Sequence, residues 1–222
     1  MLITFEGVDT SGKTTQASLL HIMLQSMGIK SHYVKIPGAT LASRELFKFI
    51  NNNKLSKFTE MLTFLTIIND IAINVINKHR SNSVVVCDRY YFSTLAYSAY
   101  GYGLHRTEIW RLIDALELPE PDLNVFMRIG LDGEGIRKRI DEYRPEKTKF
   151  ETESAKFYEQ VQYGFGFELP IENTLTIEAL NPVMDNFNLI YNAVNDCSLS
   201  VLPVRQRPSK AQIEGLIKKL KE

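Results

Sequence analysis

The chain has 222 residues and a mass of 25.4 kDa, enough for one large domain with a substantial hydrophobic core. Hydrophobic residues make up 44% of the sequence and charged residues 23%, which excludes a disordered, collagenous or coiled-coil protein. Lysine plus arginine and aspartate plus glutamate both number 26, so the net charge is zero. Because a neutral chain lacks the positive field that attracts nucleic acids and anionic membranes, we expect neither as a partner.

The sequence also indicates where the protein resides. No uninterrupted apolar stretch approaches the roughly 20 residues that span a bilayer. The first seven residues, MLITFEG, include an acid, which is not typical of a secretory signal. The two cysteines, Cys87 and Cys197, have neither the number of a disulfide framework nor the spacing of a metal site. We therefore expect a reduced, soluble protein of the cytoplasm.

Short apolar runs alternate with longer helix-like segments along most of the chain. The run SVVVCD is typical of a strand that is buried on both faces. The predicted strands cover residues 2–5, 31–36, 83–87, 124–129 and 175–177, and the main predicted helices cover residues 14–27, 57–78, 107–116 and 182–193. This alternation predicts an α/β fold with a five-stranded parallel sheet flanked by helices on both faces.

Two segments differ from this pattern. Residues 133–154 are mostly polar, which indicates a solvent-facing helix, a mobile loop and the start of another helix. Residues 199–222 are predicted to form a tail, in which prolines interrupt the chain before a short basic helix. The helix has one apolar face, which either packs against the body or contacts a partner. We expect residues 1–198 to form the main domain.

A phosphate-binding motif follows the first predicted strand. Residues 7–14, GVDTSGKT, fit the pattern G-x-x-x-x-G-K-[ST]. The glycines let backbone N–H groups turn inward around phosphate oxygens, at the positive end of the next helix. Lys13 is predicted to reach the β- and γ-phosphates, and the Thr14 hydroxyl to ligate Mg²⁺. The predicted nucleoside triphosphate site comprises Gly7, Val8, Asp9, Thr10, Ser11, Gly12, Lys13, Thr14 and Thr15.

Further motifs follow the phosphate loop in a fixed order. They are FEGVDTSGKTTQ at 5–16, KIPGAT at 35–40, DRYYFSTLAYS at 88–98, PDL at 121–123 and RPEKTKFE at 144–151. Together these pieces resemble the thymidylate kinase (dTMP kinase) family over residues 3 to about 170. The resemblance implies a P-loop nucleoside monophosphate kinase fold, ATP-dependent phosphorylation of dTMP to dTDP with Mg²⁺ as cofactor, and a homodimer.

Residues after the third predicted strand are predicted to bind the metal ion and the phosphate acceptor. Asp88 ends a predicted buried strand, where parallel sheets place their ligands, so its carboxylate can hold Mg²⁺ opposite Thr14. Arg89 is predicted to bind the α-phosphate of the acceptor bidentately. The resemblance implies that Asp9, which would otherwise repel phosphates, binds the sugar 3′-hydroxyl. The predicted substrate-binding residues are Asp9, Lys35, Pro37, Phe64, Arg89, Ser93 and Tyr97.

A basic lid is predicted at about residues 142–150. Phosphoryl transfer needs positive charge on the transferring group. Some family members carry an arginine inside the phosphate loop, but this chain has Thr10 and Ser11 at the corresponding positions. We therefore expect Arg144 to act as a catalytic residue together with Lys13 and Arg89, supported by Lys147 and Lys149. A solvated basic loop is the alternative.

Two departures from the family pattern leave the acceptor open. Lys35 replaces an arginine, and residues 64–71 lack the arginine that reaches the base in the family. Phe64 is then either a stacking face for a pyrimidine or an ordinary core aromatic. The alternatives are a kinase for another nucleoside monophosphate, such as dUMP, and a catalytically weak nucleotide-binding protein.

Overall fold

The computed structural model describes residues 1–197 and 210–221, and the side chains of residues 1–197 and 211–218. The strands are Leu2–Glu6 (β1), Ser31–Lys35 (β2), Val84–Asp88 (β3), Leu123–Arg128 (β4) and Thr174–Glu178 (β5). The α-helices are Lys13–Ser26 (α1), Leu41–Asn52 (α2), Lys57–Ile71 (α3), Asn77–His79 (α4), Tyr91–Leu95 (α5), Arg106–Ala115 (α6), Gly133–Tyr143 (α7), Ala155–Glu168 (α8), Val183–Cys197 (α9) and Lys210–Lys221 (α10). Two π-helical segments, Ala72–Ile76 and Ala96–Gly101, follow α3 and α5, and 3₁₀ turns occupy Lys149–Thr152 and Ile171–Asn173.

The strands form one parallel sheet in the order β2-β3-β1-β4-β5. The central strand is β1, whose Ile3 pairs with Val86 of β3 on one side and Leu123 of β4 on the other. Every residue of β1 and β3 is buried, because helices cover both faces of the sheet. The predicted five-stranded parallel sheet with helices on both faces is therefore confirmed.

Each face of the sheet has its own hydrophobic cluster, because successive side chains of a strand point to opposite faces. Leu2 of β1 packs in one cluster with residues of α3 and α8, including Ile68 and Phe165. Phe5 packs in the other cluster with residues of α1 and α9, including Leu20. The carboxyl ends of β1, β2 and β3 meet at one edge of this rigid sandwich, where parallel sheets place their ligands.

The long helix predicted at residues 57–78 appears as α3, a π-helical segment and α4. By length and composition Lys57–His79 could cross a membrane, since its most apolar window has a mean hydropathy of 1.4. About half of that window, 44%, is buried inside the protein, and Leu65, Ile68 and Ile71 lie in the core. Core helices of globular proteins have the same pattern, so the absence of a membrane partner stays a prediction.

The predicted tail helix corresponds to α10, which contacts α1. Ile213 is 1% exposed and belongs to the same cluster as Phe5, while Leu216 and Ile217 pack against that cluster. The apolar face of the helix therefore packs against the body of the protein. The predicted chain breaks at Pro203 and Pro208, which belong to the tail, lie outside the described residues.

Candidate active site

The phosphate loop connects the central strand to α1. Gly7, Thr10 and Gly12 have φ values of 142°, 62° and 86°, in the region that glycine adopts most readily. A Cβ atom on Gly7 would lie 2.5 Å from the carbonyl oxygen of Met127, so only glycine fits there. The loop thus has the strand–loop–helix context that the sequence predicts, and α1 begins at Lys13 with its N-terminus facing the loop.

Lys13 is held inside the loop. Its Nζ donates to the Val8 carbonyl oxygen at 2.6 Å and to Ser11 Oγ at 3.1 Å, and the side chain is 5% exposed. Burial lowers the pKa of Lys13 to about 7, and the nearby charge of Arg89 acts in the same direction. A phosphate beside Nζ would favour the charged ammonium form, so phosphate binding and protonation of this group are coupled.

Thr14 and Asp88 lie side by side, as predicted for the metal site. Thr14 Oγ1 donates to Asp88 Oδ2 at 2.6 Å, and the Tyr33 hydroxyl donates to the same oxygen at 3.1 Å. Asp88 ends β3 and is 2% exposed. Mg²⁺ prefers oxygen ligands and binds through one or two carboxylates plus phosphates and waters, so this donor pair fits the ion.

Arg89, Asp9 and Tyr97 form a second polar cluster next to the loop. Arg89 Nη2 lies 2.5 Å from Asp9 Oδ1, and the Tyr97 hydroxyl donates to Asp9 Oδ2 at 2.6 Å. Burial alone would raise the pKa of Asp9, but Arg89, Lys13 and the Tyr97 hydrogen bond hold it below its usual value. The Asp9 carboxylate is thus ionised and held by Arg89 and Tyr97, which accounts for a negative charge within a phosphate loop.

One cavity of about 600 Å³ connects these groups. The predicted site residues that line it are Asp9, Thr10, Gly12, Lys13, Thr14, Thr15, Lys35, Pro37, Phe64, Asp88, Arg89, Ser93, Tyr97 and Arg144. Gly7, Val8 and Ser11 do not line it, but their oxygens accept hydrogen bonds from Arg89 or Lys13. The structure therefore brings most of the predicted residues to a single cleft.

Aromatic and charged side chains form the far end of the cavity. The ring of Phe64 packs edge-on against Phe150, with 5.5 Å between centroids, and both rings line the cavity. Lys57 and Glu60 of α3 also line this end and were not predicted from sequence. Glu60 pairs with both Lys57 and Lys149 of the lid, and α3 has no arginine.

The predicted lid lies between α7 and α8, and only one of its three predicted cations reaches the cavity. Arg144 lines it, with Nε 3.3 Å from Glu151 Oε1 and half of the side chain exposed. Lys147 pairs with Asp141, and neither Lys147 nor Lys149 lines the cavity. Both lysines thus pair with carboxylates, and their supporting role in catalysis stays a prediction.

Both ends of the lid are fixed. Lys149 Nζ donates to Glu60 Oε1 and to the Ile50 carbonyl oxygen, each at 2.6 Å, which attaches the lid to α2 and α3. The first residues of α7 and α8 also meet, since a Cβ on Gly133 would lie 2.1 Å from the carbonyl oxygen of Ala155, so the segment 134–154 starts and ends at one contact. Within this segment, residues 144–148 lie between the end of α7 and the Lys149 anchor, and residues 144–147 are exposed.

Two further residues of the site were missed from sequence. Arg139 of α7 lines the cavity and donates through Nε to the Thr10 carbonyl oxygen at 3.1 Å. Glu6 ends β1, is fully buried and contacts the Arg89 region through Tyr90 and Ser93. The signal for Glu6 was a single acid at the end of an apolar strand, whereas Arg139 had no signal that separated it from the neighbouring basic residues of α7.

Comparisons with known proteins identify the family of the chain. The sequence model of the thymidylate kinase family matches residues 5–190. Thymidylate kinase of Wolbachia pipientis wMel is 28% identical over 200 residues, covering 88% of this chain and 98% of the relative. The enzyme of Anaplasma phagocytophilum is 32% identical over 171 residues, covering 74% and 75%. The crystal structure of thymidylate kinase from Ehrlichia chaffeensis has the same fold, with a TM-score of 0.69 at 24% identity over 88% of this chain and 98% of that one. The chain belongs to the thymidylate kinase family.

Proposed function

We propose that this protein transfers the γ-phosphoryl group of ATP to dTMP, giving dTDP and ADP. The observation that carries the proposal is that the phosphate loop and the Arg89–Asp9–Tyr97 cluster open onto one cavity. A donor phosphate bound by the loop and an acceptor phosphate bound by Arg89 would therefore meet within the same cleft. Family membership supports the same pair of substrates.

The phosphate loop and the predicted metal site support a triphosphate as the phosphate donor. The backbone N–H groups of the loop and Lys13 Nζ would bind the β- and γ-phosphates. Thr14 and Asp88 would hold Mg²⁺, which when bound neutralises part of the charge on the phosphate oxygens. Arg139, held at the Thr10 carbonyl oxygen, adds positive charge beside the loop.

Arg89, Asp9 and Phe64 support a nucleoside monophosphate as the phosphate acceptor. Arg89 would bind the α-phosphate, and Asp9 has lone pairs left to accept a hydrogen bond from the sugar 3′-hydroxyl. Phe64 would offer a ring face or edge to the base. Because the attacking phosphate oxygen is already anionic, no strong general base is needed, and catalysis consists of positioning and charge stabilisation.

Arg144 would supply the remaining positive charge. Its Nε lies 3.3 Å from Glu151 Oε1, and the Arg144 side chain is half exposed, whereas Glu151 is buried and also accepts two hydrogen bonds from Thr148. The guanidinium can therefore exchange Glu151 for the transferring phosphoryl group, where charge is spread over three oxygens. This exchange would close the lid and exclude water from the cleft.

A panel of nucleoside monophosphates with ATP and Mg²⁺, followed by release of ADP, tests the proposal. We expect dTMP to have the highest kcat/KM and Lys13→Ala to lower kcat by about 10³-fold. Equal or better turnover of dUMP, CMP or AMP would identify a different acceptor. Binding of ATP without turnover of any monophosphate would instead indicate a nucleotide-binding protein.

We also propose a homodimer. Phe58 and Leu62 of α3 and Ile73 of the following π-helical segment are exposed apolar residues, which supports this part of the molecule as the interface. Sedimentation velocity should give twice the mass of the chain, and the double change Phe58→Glu and Leu62→Glu should give a monomer. A monomeric wild-type protein at high concentration would contradict the proposal.

A further inference from the structure

Glu6 is a buried charged residue that does not line the cavity. Its side chain is 0% exposed at the end of the central strand β1. Oε1 accepts a hydrogen bond from the Tyr90 backbone N–H at 2.8 Å, and Oε2 accepts one from the Ser93 hydroxyl at 2.5 Å. Burial raises the pKa of Glu6 to about 7, against the favourable effects of these hydrogen bonds and of Arg89 and Lys13. Burying an acid costs free energy unless hydrogen bonds and opposite charges compensate, and at Glu6 they do so only in part.

Both hydrogen bonds of Glu6 act on Arg89. The Ser93 oxygen, whose own proton points to Glu6, accepts a hydrogen bond from Arg89 Nη1 at 3.2 Å. The Tyr90 N–H belongs to the peptide that follows Arg89, whose backbone has a φ of 72°. This left-handed conformation is unfavourable for arginine and persists only where its surroundings hold it. Glu6 therefore restrains both the side chain and the backbone of Arg89.

This relay of hydrogen bonds, from Arg89 Nη1 to the Ser93 oxygen and from the Ser93 hydroxyl to Glu6, requires the ionised carboxylate, which predominates above a pH of about 7. An ionised carboxylate only accepts hydrogen bonds, so it directs the Ser93 proton towards itself and leaves the Ser93 oxygen to accept from Arg89. A glutamine in the same place has one amide oxygen for these two donors. Its NH2 group would therefore face either the Tyr90 N–H or the Ser93 hydroxyl, and one of the two hydrogen bonds would be lost.

We propose that Glu6 is a positioning residue for the acceptor: through Ser93 and the Tyr90 N–H it holds the Arg89 guanidinium where it binds the acceptor phosphate. The inference rests on the proposed function. It also gives Ser93 a role, since this residue orients Arg89 in addition to lining the cavity.

The test compares Glu6→Gln, Ser93→Ala and the double variant with the wild-type protein. We expect each single change to raise the KM for dTMP about tenfold while the KM for ATP stays within about twofold, because only the acceptor phosphate binds Arg89. The double variant should be no worse than Glu6→Gln, since both changes break one relay. Ser93→Thr, which keeps the hydroxyl, should restore most of the dTMP affinity.

The matched control is Glu168→Gln. Glu168 is another buried carboxylate, bound to Arg106, Tyr100 and Trp110 away from the cavity. This change should lower the thermal midpoint without altering the KM for dTMP. Because Ser93→Ala tests the same relay, the proposal stays falsifiable even if Glu6→Gln fails to fold.

Two different failures can be distinguished. Wild-type turnover of dTMP tests the proposed function, and the ratio of variant to wild-type KM, taken with whichever monophosphate is phosphorylated, tests Glu6. If none is phosphorylated, the ratio is taken from the Kd of dTMP by calorimetry, and absence of dTMP binding overturns both proposals. Equal changes in the two KM values, an unchanged KM for the acceptor, or additive effects of the two changes would overturn the role of Glu6.

Discussion

The phosphate loop and the lid both carry a cation that we assign to catalysis, but the protein holds the two cations differently. Lys13 is buried and donates to two oxygens of its own loop, whereas Arg144 is half exposed and pairs with a single oxygen of Glu151. The loop is a preorganised part of the core, and such groups need no rearrangement when charge develops. The lid can instead bring its charge to the site after both substrates have bound.

The surroundings of each segment explain this difference. The loop lies between the central strand and α1, and its backbone at Gly7 packs against the Met127 carbonyl oxygen, which restricts the conformations that the loop can adopt. Residues 144–148 of the lid have polar, mostly exposed side chains between two anchors. A segment that buries so little apolar surface gains little free energy from any one conformation.

The largest expected effect comes from removing the buried cation. Lys13→Ala should lower kcat by about 10³-fold, the upper range for loss of a single group that stabilises developing charge. The measurement is ADP release at saturating dTMP, and Lys48→Ala, a surface lysine paired with Glu45, should leave kcat within twofold. A tenfold or smaller effect of Lys13→Ala would mean that the loop is not the main donor site.

Arg144→Ala should have the next largest effect. We expect kcat to fall by about 10²-fold with a much smaller rise in KM, because Arg144 binds the transferring group mainly in the transition state. Arg144→Lys should recover part of the rate, and Arg137→Ala, which removes an exposed arginine of α7, is the matched control. A change in KM alone would show that Arg144 only assists binding.

Phe64→Ala tests the far end of the cavity. Loss of stacking on an aromatic ring costs about 1–3 kcal/mol per base, so the KM for dTMP should rise by roughly tenfold or more. Because Phe64 also contacts Phe150, the thermal midpoint should be measured in parallel, with Phe167→Ala as an exposed aromatic control. A loss of stability without a change in KM would identify Phe64 as a core residue.

Amide hydrogen exchange should separate the moving part of the lid from its anchor. We expect the amides of Glu146 and Lys147 to gain protection with a bisubstrate mimic, whereas the amides of Thr148 and Glu151 are already protected without it because they donate to Glu151 Oε2 and to the Thr148 carbonyl oxygen. Equal protection of Glu146 and Lys147 in both states would return Arg144 to an ordinary surface residue.

The smallest expected effect is the uptake of a fraction of a proton when ATP binds. Above pH 7 the Lys13 amine is mostly neutral in the free protein, and a bound phosphate raises its pKa, so ATP binding takes up a proton. The uptake should therefore increase from pH 6 to pH 8 and be lost in Lys13→Ala. Calorimetry in two buffers of different ionisation enthalpy measures it, and a pH-independent uptake in the wild-type protein would contradict the assignment.

Features that could be predicted from the sequence involve residues close together in the chain, whereas those that could not be predicted join residues far apart. The strand and helix patterns and the phosphate loop are local, so residues such as Gly7 and Lys13 could be assigned from a short motif. The pairing of Lys149 with Glu60 joins positions 89 residues apart, and that of Arg139 with Thr10 joins positions 129 apart. No local pattern encodes such contacts, and for this reason the pairing of Lys149 with Glu60 was not predicted.

The close approach of Gly133 and Ala155 has a consequence for engineering. This contact joins the two ends of the segment 134–154, which contains α7 and the lid, so the fold and not the lid sequence brings those ends together. Lengthening a loop whose ends are already joined costs only about 0.6 kcal/mol for each doubling of its length. Between Pro145 and Glu146 the chain should therefore accept an inserted peptide or a fluorescent reporter while the phosphate loop stays unchanged.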